Sequence, residues 1–437
     1  MLNTTEFLIG LFLLLAAAVL VGELMTRFGQ AALVGQLLVG VVFGPTLLGP
    51  YVGLATTNDA IAGIQFLATF FILVMAGLEV SPEEIWHTGF AAGLLGLAVF
   101  LGPFVLGALI IPFLYPSLPF LTALFVSLTL SITALPVMGV MLSEFRMAKT
   151  QMGVLLMNTA VINELVAVTA FAILLRVQTA GSGQGGLAIA IAVGSVALFI
   201  TTVLTIHLAL RYLRESRLWY GIQRRFRVTW KSKEAGFALL MIMSLGAALY
   251  SQYLGLTFLI GAFYAGLLIT PESAGRREHR SIEQIFDAMT WGFFIPLFFA
   301  FVGLQMNLRL LLETPWTLVV FGILVLFAVL SKFLVGAAVA RYLGWETRDA
   351  RTIGFLVSSR GAVELAMAVI LLQAGVFTTQ LYTVVAGVGL VTTALAPVAA
   401  LYWGRLPTSR GPTTSRRFLS GVVETDSPSR DQSPGPT

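Results

Sequence analysis

The sequence predicts an all-α membrane protein that crosses the bilayer many times and is built from two inverted repeats. Hydrophobic residues make up 57% of the chain and charged residues only 11%, which is more apolar surface than a soluble domain can bury. Apolar stretches near the roughly 20 residues that span a bilayer recur along the whole chain. Glycine and proline positions repeat at a constant offset of 226 residues, which is typical of duplicated membrane proteins whose binding site lies between the repeats.

Thirteen membrane-spanning helices are predicted from these stretches, numbered here as spans one to thirteen. Spans one to six form the first repeat, span seven connects the repeats, and spans eight to thirteen form the second. Corresponding spans are seven apart, an odd number, so the repeats are expected to be inverted in the membrane. The first span has no basic residue before it and no small-residue cleavage site, so we expect a retained helix rather than a signal peptide. The predicted spans are 6–24, 31–49, 61–78, 90–112, 119–142, 151–175, 186–210, 235–251, 254–270, 289–305, 316–340, 352–374 and 380–402.

Eight pairs of identical residues mark the repeat, and no insertion or deletion is needed across fifty positions. Two halves that share glycine and proline positions within very apolar sequence indicate a duplication. The first-half members are Gly29, Leu33, Gly35, Gly40, Pro45, Gly49, Gly77 and Leu78, and their partners are Gly255, Leu259, Gly261, Gly266, Pro271, Gly275, Gly303 and Leu304.

The distribution of basic residues predicts the orientation of the chain, since cytoplasmic loops carry an excess of Lys and Arg. With the N-terminus outside, 22 basic residues fall in cytoplasmic loops or the C-terminal tail, and only Arg176 and Arg309 fall in external loops. The net charge of +5 is therefore a topology signal and not evidence for nucleic-acid binding. The prediction is a multi-pass protein of a bacterial-type inner plasma membrane with a cytoplasmic C-terminus.

Four regions are expected along the chain. Residues 1–210 hold the first repeat with connector span seven, and residues 235–403 hold the second repeat. Residues 211–234 form a basic, aromatic cytoplasmic linker that is expected to lie along the membrane surface, although a partner-binding site there stays open. Residues 404–437 are rich in Pro, Ser, Thr and Arg, which predicts a disordered cytoplasmic tail. The chain has no cysteine, which excludes disulfides and thiolate metal sites, and no cofactor is expected.

Ionisable residues inside apolar spans are costly, so each is a candidate functional residue. Glu164 lies about midway along span six, next to Asn163. A carboxylate at the bilayer midplane can hold either a proton or a monovalent cation, but not easily both, and this competition is the minimal chemistry of exchange. A structural ion pair with Lys332 or Arg360 is the alternative. Five residues qualify as candidates: Glu79 at the end of span three, Glu164, Lys332, Arg360 and Glu364.

The other four ionisable residues have two interpretations each. Lys332 lies in the middle of span eleven, where it either pairs with Glu164 until a cation binds or forms a purely structural pair. Arg360 and Glu364 are spaced i, i+4 on one face of span twelve, so a local salt bridge that locks the helix is favoured over ion carriage. Glu79 ends span three at its cytoplasmic edge, where it either widens a cation funnel or lies in water.

Spans five and twelve are interrupted at equivalent places. Span five contains Ser131, Thr133 and Pro136, and span twelve contains the run Ser358–Gly361. The offset of 226 places Thr133 opposite Ser359. Pro136 removes a helical donor and disfavours helix just before it, so the carbonyl groups around Thr133 are expected to be freed. Because unwound backbone is tolerated at membrane depth only where it lines a cavity or is buried in protein, two crossed broken helices around a central ion site are predicted.

Six segments together resemble the second group of monovalent cation/proton antiporters, which includes bacterial sodium/proton antiporters, the membrane parts of Kef-type potassium efflux systems and plant cation/proton exchangers. The resemblance covers about residues 6–403. It implies an NhaA-type fold, in which a dimerisation scaffold holds an ion-carrying core that moves as an elevator. The segments are GELMTRFGQAALVGQLLVGVVFGPTLLG, FFILVMAGLEV, SITALPVMGVMLSE, LTFLIGAFYAGLLI, FFIPLFFAFVGLQ and GFLVSSRGAVELA.

The resemblance also implies the roles of individual residues by position. Glu164 falls on the ion-binding carboxylate, Asn163 on the polar residue before it, Thr133 on the unwound threonine that helps to bind the cation, and Lys332 on the core lysine. The family usually has Asp-Asp or Asn-Asp where this chain has Asn163–Glu164, so the carboxylate here lies one methylene further from the backbone. Within the family, a single carboxylate preceded by Asn tends to accompany electroneutral one-for-one exchange.

The combined prediction is a secondary antiporter that exchanges H⁺ for Na⁺ or K⁺, works as a homodimer in the lipid bilayer and is not an enzyme. Arg360, Glu364, Ser359 and Pro136 are assigned structural or electrostatic support. Two other classes stay open: a Kef-like potassium efflux system that lacks its regulatory domain, and a non-transporting sensor or scaffold with the same fold.

Overall fold

All regular secondary structure in the residues that the computed structural model describes is helical. These residues are 4–28, 30–49, 59–79, 89–145, 147–148, 150–180, 185–215, 234–268 and 276–403. A short π-helical segment, Thr290–Phe294, joins α11 to α12. The α-helices are α1 Thr4–Arg27, α2 Ala32–Phe43, α3 Asp59–Leu78, α4 Gly89–Leu114, α5 Phe120–Thr129, α6 Leu135–Glu144, α7 Gln151–Ala180, α8 Gly185–Glu215, α9 Glu234–Tyr253, α10 Phe258–Leu268, α11 Arg276–Met289, α12 Ile295–Leu304, α13 Arg309–Leu312, α14 Pro315–Tyr342, α15 Thr347–Leu356, α16 Ala362–Gln373 and α17 Thr379–Trp403.

Each predicted span overlaps an apolar helix. Within the described ranges, eight helical stretches are long and apolar enough to cross a membrane, and shorter apolar helices lie in spans two, five, nine, twelve and thirteen. Several boundaries differ from the prediction. α2 ends early, at Phe43, whereas other helices are longer than predicted: α8 continues to Glu215, and the helix of span ten already begins at Arg276. Hydropathy falls where polar residues begin, whereas helical hydrogen bonding continues past that point. Residues 216–233 of the predicted linker and the predicted tail 404–437 lie outside the described residues.

The two repeats interlock at four glycines that the sequence repeat pairs. Gly40 of α2 lies against the Ala300 carbonyl group of α12, and its repeat partner Gly266 of α10 lies against the Val74 carbonyl group of α3. Ala300 and Val74 are themselves 226 positions apart, so the two contacts are equivalent. Gly29, Pro271 and Gly275 of the repeat lie outside the described residues. A second equivalent pair of contacts joins Gly303 to Leu37 and Gly77 to Phe263.

Replacing Gly40 with alanine is expected to force α2 away from α12 and to destabilise the fold by about 1–3 kcal/mol, as overpacking commonly does. An added Cβ would overlap the Ala300 carbonyl group and lie 2.7 Å from the Leu304 nitrogen. Gly63→Ala in α3 is the matched control, since no atom lies within 4 Å of an added Cβ there. Thermal unfolding of both purified variants in detergent measures the difference, and equal stability would contradict the interlocking.

Spans five and twelve are each built from two short helices, as predicted. Residues 130–134 separate α5 from α6, and residues 357–361 separate α15 from α16. These two interruptions contact each other and are called the crossing below. The N–H group of Ala134 donates to the Ser359 carbonyl group over 3.3 Å. The close approach requires Gly361, where an added Cβ would lie 2.6 Å from the Cβ atom of Ala134.

Candidate functional site

Glu164 is a fully buried carboxylate without a hydrogen-bond partner. It lies midway along α7, the helix of span six, and its side chain is 0% exposed. No donor within the described residues meets hydrogen-bond geometry with either carboxylate oxygen, although the backbone N–H of Leu135 at the start of α6 faces the group. A buried carboxylate normally has donors or a cation beside it. Glu164 is therefore free to take a ligand.

Asn163 holds the crossing in place with both ends of its side-chain amide. Its Oδ1 accepts a hydrogen bond from the N–H of Thr133 over 2.7 Å, and its Nδ2 donates to the Ser131 carbonyl group over 3.3 Å. These backbone groups lose their helical partners where the helix is interrupted. Because Asn163 and Glu164 are consecutive on α7, this contact fixes the unwound segment beside the carboxylate. The ion-binding role that the resemblance implies for Asn163 stays a prediction.

Lys332 contacts the crossing rather than Glu164. From α14, its fully buried ammonium group donates to the Ile132 carbonyl group, and to Thr133 Oγ1 over 2.9 Å. The predicted pairing of Lys332 with Glu164 is absent in this structure, since both carboxylate oxygens lack partners. The cause is that the interruption leaves carbonyl groups at the C-terminal end of α5, whose dipole attracts a cation.

Thr133 joins three helices through one hydroxyl group. The hydroxyl accepts from Lys332 and donates its proton to the Val357 carbonyl group over 2.9 Å. Its backbone N–H is bound by Asn163. In this structure Thr133 therefore joins the two interruptions of the crossing to each other and fixes them to α7 and α14, and its predicted role as a cation ligand stays a prediction.

Arg360 completes the set of donors at the end of α5. One guanidinium nitrogen donates to the Thr129 carbonyl group over 3.2 Å and to Glu364 Oε1 over 3.0 Å, and another donates to the Leu130 carbonyl group. The local salt bridge between Arg360 and Glu364 is thus present, and both side chains are 0% exposed. Side-chain donors cover the carbonyl groups of residues 129–132, which a continuous helix would bond internally.

Four buried ionisable side chains surround the crossing, and their formal charges cancel. Lys332 and Arg360 are cationic, Glu164 and Glu364 are anionic, and each is at most 1% exposed. The two cations meet the negative end of the α5 dipole, while Glu364 lies in the first turn of α16, where the dipole favours an anion. Glu164 alone lacks a partner among these four. Glu164 is therefore the one of the four groups that can take up a proton or a cation without displacing an existing contact.

Three predicted residues remain to be placed, namely Ser359, Pro136 and Glu79. Ser359 is 0% exposed and its hydroxyl has no partner in the described structure. Pro136 is the second residue of α6, where a missing N–H costs little because the first N–H groups of a helix lack internal partners. Glu79 directly follows α3, and its side chain is exposed. The structure brings Glu164, Asn163 and the crossing together, and it leaves Glu79 at a helix end that lies within electrostatic range of Glu164.

A family model described as "Sodium/hydrogen exchanger, transmembrane" matches residues 12–401. The chain belongs to this family. One relative is the Na⁺/H⁺ antiporter NhaS4 of a Synechocystis strain. It is 26% identical to this chain over 402 residues, which cover 88% of this chain and 94% of the relative. The Na⁺/H⁺-K⁺ antiporter GerN of Bacillus cereus is 25% identical over 405 residues, covering 91% of this chain and 96% of the relative. The resemblance to cation/proton antiporters predicted from the motifs is confirmed.

The chain also shares its fold with a solved antiporter structure. The sodium proton antiporter MjNhaP1 of Methanocaldococcus jannaschii at pH 8 superposes with a TM-score of 0.64, covering 91% of this chain and 98% of that chain. The sequence identity is 14%, so the likeness concerns the fold. An all-helical membrane architecture is thereby established.

Proposed function

We propose that this protein is a secondary antiporter that exchanges protons for Na⁺ or K⁺. The observation that carries the proposal is the fully buried, unpartnered carboxylate of Glu164 beside the crossing. A carboxylate at this depth is stable only when a proton or a cation neutralises it. Because one carboxylate takes the two ligands in turn, release of one is coupled to binding of the other. The antiporter names of the relatives support this assignment.

The exchange is one proton for one monovalent cation and is electroneutral. Glu164 is the only partnerless group among the four buried charges, so it supplies one negative charge to be neutralised. Asn163, which precedes it, is uncharged and commits its amide to the backbone of the crossing. Lys332 and Arg360 are held by carbonyl groups of the crossing. A single free carboxylate therefore sets the exchange ratio at one proton for each cation.

Purified protein in proteoliposomes tests this function. A pH gradient is imposed, and Na⁺, K⁺ or Li⁺ is added on one side while internal pH is followed. The proposal expects cation-dependent proton movement with at least one of these ions. Cation flux without proton counterflow would instead favour a channel-like efflux system, and no flux with folded protein would favour a sensor or scaffold.

The membrane arrangement completes the proposal. Thirteen spans cross a bacterial-type inner membrane, with the N-terminus outside and the C-terminus in the cytoplasm, and the protein forms a homodimer. The overlap of each predicted span with an apolar helix supports the number of crossings. The strong excess of basic residues in the predicted cytoplasmic loops supports the orientation.

Alternating access occurs by movement of two helical units against each other. The interlocked unit consists of α1–α3 and α9–α12, which the repeat glycines join, and the crossing unit consists of α4–α7 and α14–α17. The Tyr382 hydroxyl of α17 donates to the Val302 carbonyl group over 2.9 Å, and the N–H of Asn307 donates to Thr383 Oγ1 over 3.1 Å. The start of α17 lies on the external side in the proposed topology. These contacts then close the external side and break in each transport cycle.

Tyr382→Phe is expected to open the external side more often, because it removes the hydroxyl that binds the Val302 carbonyl group. The chain has no cysteine, so a single Val302→Cys substitution reports on this contact. We expect a membrane-impermeant maleimide to label that cysteine several-fold faster in the Tyr382→Phe background. Tyr115→Phe is the matched control, since the Tyr115 hydroxyl has no partner among the residues that the structure describes. Equal labelling rates in both backgrounds would contradict the external contact.

A further inference from the structure

Ser359 carries a buried hydroxyl group at the crossing that has no hydrogen-bond partner. Its side chain is 0% exposed, and its Oγ neither donates nor accepts within the described structure. The adjacent Ser358 differs, because its hydroxyl donates to the Gly354 carbonyl group over 2.9 Å. Helical serines commonly bond back in this way, and buried polar groups without a partner are rare in native proteins. Ser359 therefore offers an unused oxygen.

The sequence repeat pairs Ser359 with Thr133, and the two hydroxyl groups are used differently. Thr133 donates its only hydroxyl proton to the Val357 carbonyl group and accepts a hydrogen bond from Lys332, both over 2.9 Å. These contacts commit the Thr133 hydroxyl to holding helices together. Ser359 has neither contact, so the second interruption offers the free hydroxyl group that the first one does not.

Ser359 and Glu164 contact the same short segment of chain. The Ser359 carbonyl group accepts the N–H of Ala134 over 3.3 Å, and the next N–H along the chain, that of Leu135, faces the Glu164 carboxylate. Consecutive residues of an extended chain advance by at most about 3.6 Å. Ser359 and Glu164 thus lie against neighbouring positions of the crossing, and each carries an oxygen without a partner in the described structure.

We infer that the Ser359 hydroxyl is a ligand of the transported cation, together with the Glu164 carboxylate. This inference rests on the proposed exchange function and names a second ligand for the same site. Alkali cations bind oxygen ligands that replace their hydration shell, and a hydroxyl supplies such a ligand without adding charge. A proton needs only the carboxylate. Ser359 therefore contributes to cation binding and not to proton binding.

Ser359→Ala and its matched control Ser358→Ala are compared in proteoliposomes with Na⁺, K⁺ and Li⁺. Loss of one ligand is expected to raise the KM for the transported cation about tenfold in Ser359→Ala, with the maximal rate and the proton dependence kept within about twofold of the original. Ser358→Ala is expected to leave KM unchanged. An unchanged KM in Ser359→Ala, or an equal rise in both alanine variants, overturns the assignment.

A second pair of variants covers the case in which Ser359→Ala does not fold. Ser359→Thr and Ser359→Val are nearly equal in shape, and only the first keeps the hydroxyl group. A KM near the original value in Ser359→Thr with a raised KM in Ser359→Val supports the ligand role. Equal KM values in the two variants contradict it.

Cation-dependent thermal stabilisation of the purified protein separates failure of this inference from failure of the proposed function, since a ligand that binds the native state raises Tm. If Glu164→Gln removes the stabilisation while Ser359→Ala keeps it at the original cation concentrations, only the Ser359 assignment fails. If the cations stabilise the unaltered protein and Glu164→Gln equally, the proposed function fails. Loss in Glu164→Gln with a shift to higher cation concentration in Ser359→Ala supports both.

Discussion

Glu164→Gln is expected to abolish exchange of protons for cations while the protein stays folded in the membrane. The amide has nearly the shape of the carboxylate but binds no proton at neutral pH and carries no charge to balance a cation. Since neither carboxylate oxygen has a partner within the described part of the chain, the substitution breaks no hydrogen bond seen there, and removal of an unpaired buried charge costs no stability. Cation-dependent proton flux in proteoliposomes and Tm in detergent measure the two parts of this expectation.

Two control variants sharpen this test. Glu346→Gln makes the same chemical change at an exposed residue before α15 whose side chain makes no capping hydrogen bond, and it is expected to keep full exchange. Glu164→Asp keeps the charge but withdraws it by one methylene, and it is expected to keep coupled exchange with an altered cation KM. Substantial cation-dependent proton flux in Glu164→Gln would remove Glu164 from the mechanism.

Arg360→Ala is expected to destabilise the protein by about 3–5 kcal/mol, the usual result of breaking a buried ion pair by removing one partner. The substitution leaves the Glu364 carboxylate buried without its cation and strips the donors from the carbonyl groups of Thr129 and Leu130. Exchange activity is expected to fall with it, because the unwound segment beside Glu164 loses one of its anchors. The free energy of unfolding in detergent or bilayers measures the effect.

A second i, i+4 pair of Arg and Glu in the same chain provides the control for this substitution. Arg27 and Glu23 approach to 3.8 Å with side chains 74% and 66% exposed, against 3.0 Å and 0% for Arg360 and Glu364. Exposed pairs of this kind contribute about 0.3–0.5 kcal/mol, so Arg27→Ala is expected to be nearly neutral. A similar loss in the free energy of unfolding in Arg27→Ala and Arg360→Ala would contradict the claim that burial and the contacts at the crossing make the second substitution costly.

The sequence predicts those features of the fold that depend on nearby residues. Apolar length locates the helices, and the repeat offset pairs Thr133 with Ser359. The structure indeed brings these two interruptions together, since Ala134 donates to Ser359. The salt bridge between Arg360 and Glu364 follows from their spacing on one helix turn. Local patterns and the internal repeat together therefore suffice to place the crossing.

Partners that are distant in sequence could not be predicted. Lys332 donates to the Ile132 carbonyl group across 200 positions, and no pattern around either residue indicates that contact. The lack of a hydrogen-bond partner for the Glu164 carboxylate within the described residues depends on all the helices that surround it. Tyr382 gives no signal either, because tyrosine near the end of an apolar span is common at membrane interfaces. Such contacts follow from three-dimensional proximity.

Proton release on cation binding tests most directly the claim that Glu164 holds either a proton or a cation. Purified protein in weakly buffered detergent solution is prepared at a pH where Glu164 is protonated, and Na⁺ or K⁺ is added while a pH indicator is read. The account predicts release of one proton for each cation bound, and no release from Glu164→Gln. Cation binding without proton release, or an equal release from Glu164→Gln, would contradict it.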